Sequence, residues 1–421
     1  MPRVWSRDQS LLVASLAGGV LLRCAAITVG PGYPFDVVTF QRWAARMAAG
    51  GPAAFYDPNQ FADYPPGLLY LLWPLGSLPG DVPSWAVRAI GIPFDVALAF
   101  AIFAVVSRIR GSRGGLLAAS AYALNPALAL AGPFWGQVDA VAMLPLFLSL
   151  VAAAAGRHAR AGTLAAVAAM VKPQAAIGLG VLMIAGAAAA AKRGEWRRLM
   201  VTGGAATVTV VILLAPFAPS AERVGAFVRD ATSPHPFSSL FAFNVWALAV
   251  GFGMHDDTPM FGLPIRLWGL LLVAVALVLI GMRLWSLVPR RSQPWDFSRE
   301  LAAYLAITTL AALAVYELPT RIHERYLFAA FAVLVPFVGV SRRAGLAYAT
   351  LSVVLAVSVL FSFTHQAQTQ ARAPDLVERT LFDPSMLVLF VLTGLGAAAM
   401  LAIDWARREP RLARFQDEPP L

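Results

Sequence analysis

The chain has 421 residues, 59% of them hydrophobic and only 13% charged, with a mean hydropathy of +0.68. That composition excludes a soluble domain and places most of the length in lipid. The net charge of +10 reflects where Arg and Lys sit, not a nucleic-acid surface, and the single Cys24 excludes an internal disulfide or a cysteine-built metal site.

Apolar runs predict an all-α polytopic protein with about twelve spans of roughly 20 residues. They lie near 10–30, 86–107, 114–132, 137–156, 162–172, 174–191, 199–218, 262–286, 300–318, 326–340, 344–363 and 384–404. The basic start before Leu11 reads as a retained signal-anchor. The fifth and sixth runs meet at Lys172-Pro173, where proline breaks or bends a helix. Basic clusters at Arg3/Arg7, Arg108/Arg110/Arg113, Arg157/Arg160, Lys192/Arg193/Arg197/Arg198, Arg290/Arg291, Arg342/Arg343 and Arg407/Arg408/Arg411/Arg414 follow runs that return to the cytoplasm. The positive-inside bias then puts both termini in the cytoplasm of a multi-pass cell-membrane protein.

The chain reads as one membrane domain over 1–421, with unequal outer loops. The first, 31–85, is the longest. In it Phe40, Trp43 and Met47 share a helical face opposite Gln41, Arg42 and Arg46, which predicts an amphipathic helix in the membrane interface. Leu68–Leu78 is a second interfacial or re-entrant stretch, too short to span. The other sizeable outer loop is 219–261, and 341–421 supplies C-terminal helices. The cytoplasmic loops are short and carry neither a P-loop nor a dinucleotide-binding glycine pattern, so no nucleotide cofactor is expected.

Ionisable residues just outside apolar segments are the candidates for chemistry, because charge there usually faces a cavity or a ligand. Asp36 opens the first amphipathic helix, either as an N-cap or as a general base. Arg321, His323, Glu324 and Arg325 cluster before the run that begins at Tyr326. They are either an internal salt-bridge set with Glu317 or a site for a phosphate. Lys172 snorkels to the interface or offers a further cation to that anion. Gln137 and Asp139 follow Trp135: either one caps a helix, or Asp139 faces the cavity. Arg23, Arg88 and Asp95 read as interhelical ion pairs. His235, Asn244 and Trp246 are candidate contacts for a sugar or lipid headgroup, and His158, His255 and His365 show no zinc spacing.

The ordered series Asp36…Trp43, Asp63-Tyr64-Pro65-Pro66, Leu124-Asn125-Pro126-Ala127, Lys172-Pro173-Gln174, Pro236-Phe237…Asn244-Val245-Trp246 and His323-Glu324-Arg325-Tyr326-Leu327 resembles the GT-C membrane glycosyltransferases. It is most similar to the dolichyl-phosphate-glucose-dependent glucosyltransferases of N-glycan assembly and their prokaryotic relatives, over about residues 10–340. The resemblance implies a many-helix membrane fold and transfer of a hexose, glucose or mannose, from a polyprenyl-phosphate donor. The acceptor would be a lipid-linked or glycolipid hydroxyl on the outer face, and the reaction would proceed with inversion. It implies Asp36 as general base and His323 near the donor phosphate, and it matches Lys172 to a basic position of the family motif. Beside it, the residues themselves put the cations Arg321, Arg325 and Lys172 with His323 at the donor phosphate. Asp139, Gln137, Tyr64, His235, Asn244, Trp246 and Glu324 are then the substrate contacts, and no metal or nucleic acid is needed. The Trp135–Asp139 stretch departs from the His-rich segment of the glucosyltransferases, which leaves the sugar and acceptor open. A transporter or flippase for a lipid-linked or small anionic substrate is the rival reading. It predicts internal repeats that the sequence does not show.

Overall fold

The computed structural model describes residues 7–57, 59–218, 235–293 and 295–412. The predicted basic residues Arg3 and Arg414, and loop positions 219–234, lie outside the described residues. The architecture of the described residues is helical, with a single short hairpin among them, Pro259–Met260 against Leu263–Pro264.

Among the described residues eight helices are long and apolar enough to cross a membrane: Arg7–Thr28, Ser84–Ala123, Pro173–Arg193, Trp196–Ala218, Ile265–Leu287, Phe297–Glu317, Arg342–His365 and Pro384–Arg407. The difference from twelve has three local causes. The runs near 86–107 and 114–132 form one continuous element that reverses at Gly111, whose φ of 73° is open to glycine. A Cβ on Gly115 would stand 1.9 Å from Ser107 Oγ, so the two legs lie against each other. The runs near 137–156 and 162–172 give shorter helices, Asp139–Ala154 and His158–Val171. The run near 326–340 breaks into a 3-10 turn, the buried helix Phe328–Leu334 and a second turn at Pro336.

The helix Phe297–Glu317 is buried along nearly its whole length and forms the centre of the molecule. In the first outer loop, Pro34–Gly50 is the predicted amphipathic helix. Its apolar face is covered by protein rather than lipid: Phe40, Trp43 and Met47 are buried, and Trp43 stacks on Phe61 and meets Phe55 edge-on. A periodic stripe specifies a buried face but not what buries it. The second stretch is the helix Leu69–Gly76, which packs so closely that a Cβ on Gly76 would lie 2.0 Å from Ala44 O. The predicted break at Lys172-Pro173 is present. Lys172 is extended (φ −142°, ψ 127°), as a residue before proline tends to be, and its side chain turns into the protein.

Arg23 and Asp95 form a buried pair at 2.8 Å, with Tyr122 donating to the other carboxylate oxygen. Among the described residues Arg88 binds no carboxylate. Its guanidinium donates to five backbone carbonyls, among them Pro133 and Phe134, and so ties the first helix to the segment before Trp135.

Candidate functional site

Asp36 sits in the first turn of Pro34–Gly50, where a helix N-terminus favours a carboxylate. Two contacts fix that turn. The Tyr33 N–H donates to Trp135 O at 2.6 Å, and Gly136 (φ 106°) lets Val37 approach where any Cβ would clash. The segment 135–137 is thereby pressed against the helix start. Trp135 Nε1 donates to Asp36 Oδ2 at 2.6 Å, Gln137 Nε2 donates to the same oxygen at 2.7 Å, and Arg325 Nη2 stands 3.5 Å from it. Among the described residues no donor reaches Oδ1.

The Gln137 amide is oriented by its other end, because Oε1 accepts from Lys172 Nζ at 2.9 Å and from the Tyr64 hydroxyl at 3.0 Å. Lys172 also pairs with Asp139 at 2.7 Å and is almost wholly buried. Arg325 is held by Glu324 at 3.0 Å and lies over the Trp135 ring, while its buried Nε lacks a partner among the described residues. The guanidinium therefore keeps capacity for an added anion.

A partly enclosed cavity of about 140 Å³ opens beside this network. Of the predicted residues, Asp36, Tyr64, His235, His323 and Arg325 line it. Gln137, Asp139, Lys172 and Glu324 stand behind those walls and bind the lining residues or one another. Arg321 is placed differently, ion-paired to the buried Asp256 at 2.7 Å. Asn244 caps the short helix Val245–Ala249, and Trp246 Nε1 donates to Leu318 O, so both fasten the second outer loop to the end of the central helix. His235 reaches the cavity because the segment beyond it pairs with 321–323: Leu240 N–H donates to Ile322 O at 2.9 Å. The two imidazoles then meet edge-to-face at 5.8 Å.

Among the lining residues that carry a hydroxyl, carboxyl or amide, sequence reasoning left six out of the site: Tyr33, Thr39, Asp63, Tyr326, Gln366 and Gln368. Asp63 belongs to the quoted Asp-Tyr-Pro-Pro series and was detectable there; the glutamines carry no sequence signal. Burial, with the Asp36 charge adding to it, pushes the Asp63 carboxyl up to about 7. Burial holds the His323 imidazole well below its usual value, and the Arg325 charge works in the same direction. His323 is thus a neutral hydrogen-bonding group at neutral pH, and Arg325 is the cation of the cavity wall. A proton acceptor, a cation and a neutral imidazole around one small cavity can take a proton from a hydroxyl and stabilise a departing anion.

A protein-family model described as glycosyltransferase family 87 matches residues 61–315, more than half of the chain. Two solved structures from Archaeoglobus fulgidus are similar to it. The oligosaccharyltransferase in its apo form has 13% identity and a TM-score of 0.46, and the match covers 96% of this chain and 56% of that one. The archaeal oligosaccharyltransferase AglB, in complex with an inhibitory peptide and a dolichol-phosphate, has 12% identity, the same coverage and a TM-score of 0.44. The chain thus spans little more than half the length of those proteins. No curated protein matches it.

Proposed function

Because the chain belongs to glycosyltransferase family 87, a GT-C-type family of membrane glycosyltransferases, we propose that it transfers a hexose, glucose or mannose, from a polyprenyl-phosphate donor. The acceptor is a hydroxyl of a lipid-linked glycan or glycolipid at the extracytoplasmic face, and transfer proceeds with inversion. One observation carries this reading: the hydrogen bonds from Trp135 and Gln137 and the Arg325 charge at 3.5 Å all converge on Asp36 Oδ2, leaving Oδ1 without a protein donor among the described residues. A carboxylate held in this way is positioned and still has a basic oxygen.

In the reaction the acceptor oxygen attacks the anomeric carbon as its proton passes to Asp36 Oδ1. The bond from that carbon to the phosphate oxygen breaks on the opposite face, and the polyprenyl phosphate leaves with an added negative charge. Arg325 suits that charge, and its pull on Asp36 weakens as the carboxylate is protonated, which frees it for the phosphate. The His323 N–H is a neutral second donor. Lys172, committed to Asp139 and Gln137, acts through Gln137 on Asp36, and Arg321 contributes to the phosphate only at longer range. The cavity is smaller than the roughly 300–1,000 Å³ of pockets that enclose drug-sized ligands, so one sugar ring is the most that it encloses. The polyprenol stays in the bilayer. No metal is required when Arg325 meets the leaving charge. The positive-inside bias supports a cell-membrane location with both termini cytoplasmic. Family membership sets the transporter reading aside.

The test is transfer by purified protein in detergent, with polyprenyl-phosphate-glucose and polyprenyl-phosphate-mannose as separate donors and host lipid extract as acceptor. Sugar should appear on a new lipid and be lost in Asp36→Asn. Transfer that persists unchanged in that variant removes Asp36 as base.

A further inference from the structure

Two amides reach the cavity from the far end of the chain. Gln366 and Gln368 belong to a 3-10 turn, Ala367–Thr369 with its preceding residue, just past the helix Arg342–His365. The turn is internally fixed: Gln366 N–H donates to Ser362 O at 3.1 Å, Gln366 Nε2 to Ser362 Oγ at 2.8 Å, and Thr369 Oγ1 to Phe363 O at 2.6 Å. The Tyr33 hydroxyl lies within hydrogen-bond reach of Oε1 of both glutamines. A phenol has one proton to donate. Ser362 orients the Gln366 amide, so Gln366 Oε1 is the matched acceptor and Gln368 keeps hydrogen-bonding capacity at the cavity wall.

The remaining lining suits a pyranose. Phe35, Phe61 and Phe241 offer apolar faces to ring C–H groups, and the polar groups sit at a few fixed places among them. A primary amide carries both donor and acceptor, which matches the dual character of a hydroxyl. Hexose epimers differ in the direction of one hydroxyl, and a site built to hydrogen-bond a hydroxyl discriminates far better than an apolar pocket.

We propose that the Gln366–Gln368 turn, clasped to Tyr33, reads the ring hydroxyls of the transferred hexose and sets which sugar is accepted. This rests on the hexose-transfer reading above and adds its specificity determinant. Both glutamines, like Asp36, His323 and Arg325, lie outside the segment 61–315 that the family model matches.

The experiment measures binding of polyprenyl-phosphate-mannose and polyprenyl-phosphate-glucose in detergent to Asp36→Asn protein, which holds donor without turnover. The same background then carries Gln368→Ala, Gln366→Ala or Tyr33→Phe. Gln368→Ala should shrink the ratio of the two dissociation constants at least tenfold, by weakening the preferred donor, with no change in melting temperature. Gln368→Asn, a change at an exposed side chain, gives a smaller shift of the same sign. Equal weakening of both donors, or an unchanged ratio in all variants, overturns the proposal. Failure of the background protein to bind either donor instead overturns the donor reading on which the proposal rests.

Discussion

The carboxylate of Asp36 and the ammonium of Lys172 are bound to opposite ends of one side-chain amide, that of Gln137. Gln137 passes the field of a buried cation to the carboxylate through a neutral group. It also fixes which carboxylate oxygen is occupied. Gln137→Ala should lower kcat about tenfold to a hundredfold, at or below the low end of the roughly 10²–10⁴ that a positioned base supplies because the base itself remains, with little change in donor KM. Steady-state kinetics check this; a rise in KM alone would mean that Gln137 serves binding rather than the base.

The pair of Lys172 and Asp139 is nearly sealed from solvent. Removing one partner of such a pair costs about 3–5 kcal/mol, because the other charge stays buried and unpaired. Lys172→Met should therefore destabilise the protein strongly, and adding Asp139→Asn should restore most of the loss. Thermal unfolding in detergent of the two single variants and the double reads the coupling. Additive losses would show that the two charges do not depend on each other.

Asp63 gives a pH signature whose sign can be worked out. Its folded-state carboxyl titrates near 7 against an ordinary 3.8, so the folded protein holds a proton that the unfolded chain releases. The stability from that proton is complete below about 3.8 and is lost as pH rises through 7. Asp63→Asn keeps the neutral form at every pH. Its melting temperature should gain on the wild type between pH 5 and pH 8, and a constant gap across that range would contradict the assignment.

His323 is neutral in the resting site, whereas Arg325 carries the charge. His323→Asn should weaken donor binding only a few-fold at pH 7.5, since one neutral donor replaces another. Arg325→Gln removes a charged hydrogen bond worth about 1.5–3 kcal/mol and should raise donor KM roughly 10- to 100-fold. Equal effects from the two would mean that the histidine is protonated when the donor is bound.

What the sequence made legible follows from cost. Asp36, His323 and Arg325 stand out because charge beside an apolar run is expensive, and they line one cavity. Lys172-Pro173 stands out because proline dictates the backbone before it. The amides of Gln366 and Gln368 cost little in a polar segment, so nothing in the sequence separates them from an ordinary loop. Arg321 carries the same charge as Arg325 four residues away, but its partner Asp256 lies in a loop that no periodicity connects to it. The helix Pro34–Gly50 shows the corresponding limit for the fold: its apolar stripe is plain, but the protein cover over it is a tertiary fact.

Tyr33, three positions before the Asp36 carboxylate, is joined to a turn that the ribosome makes some 330 residues later. The cavity therefore stays unfinished through most of synthesis, although Asp36 and then Arg325 are delivered earlier. A nascent chain that stalls before Gln366 leaves its half-built cavity open, and a truncation that reaches this turn removes part of the cavity wall rather than a dispensable tail.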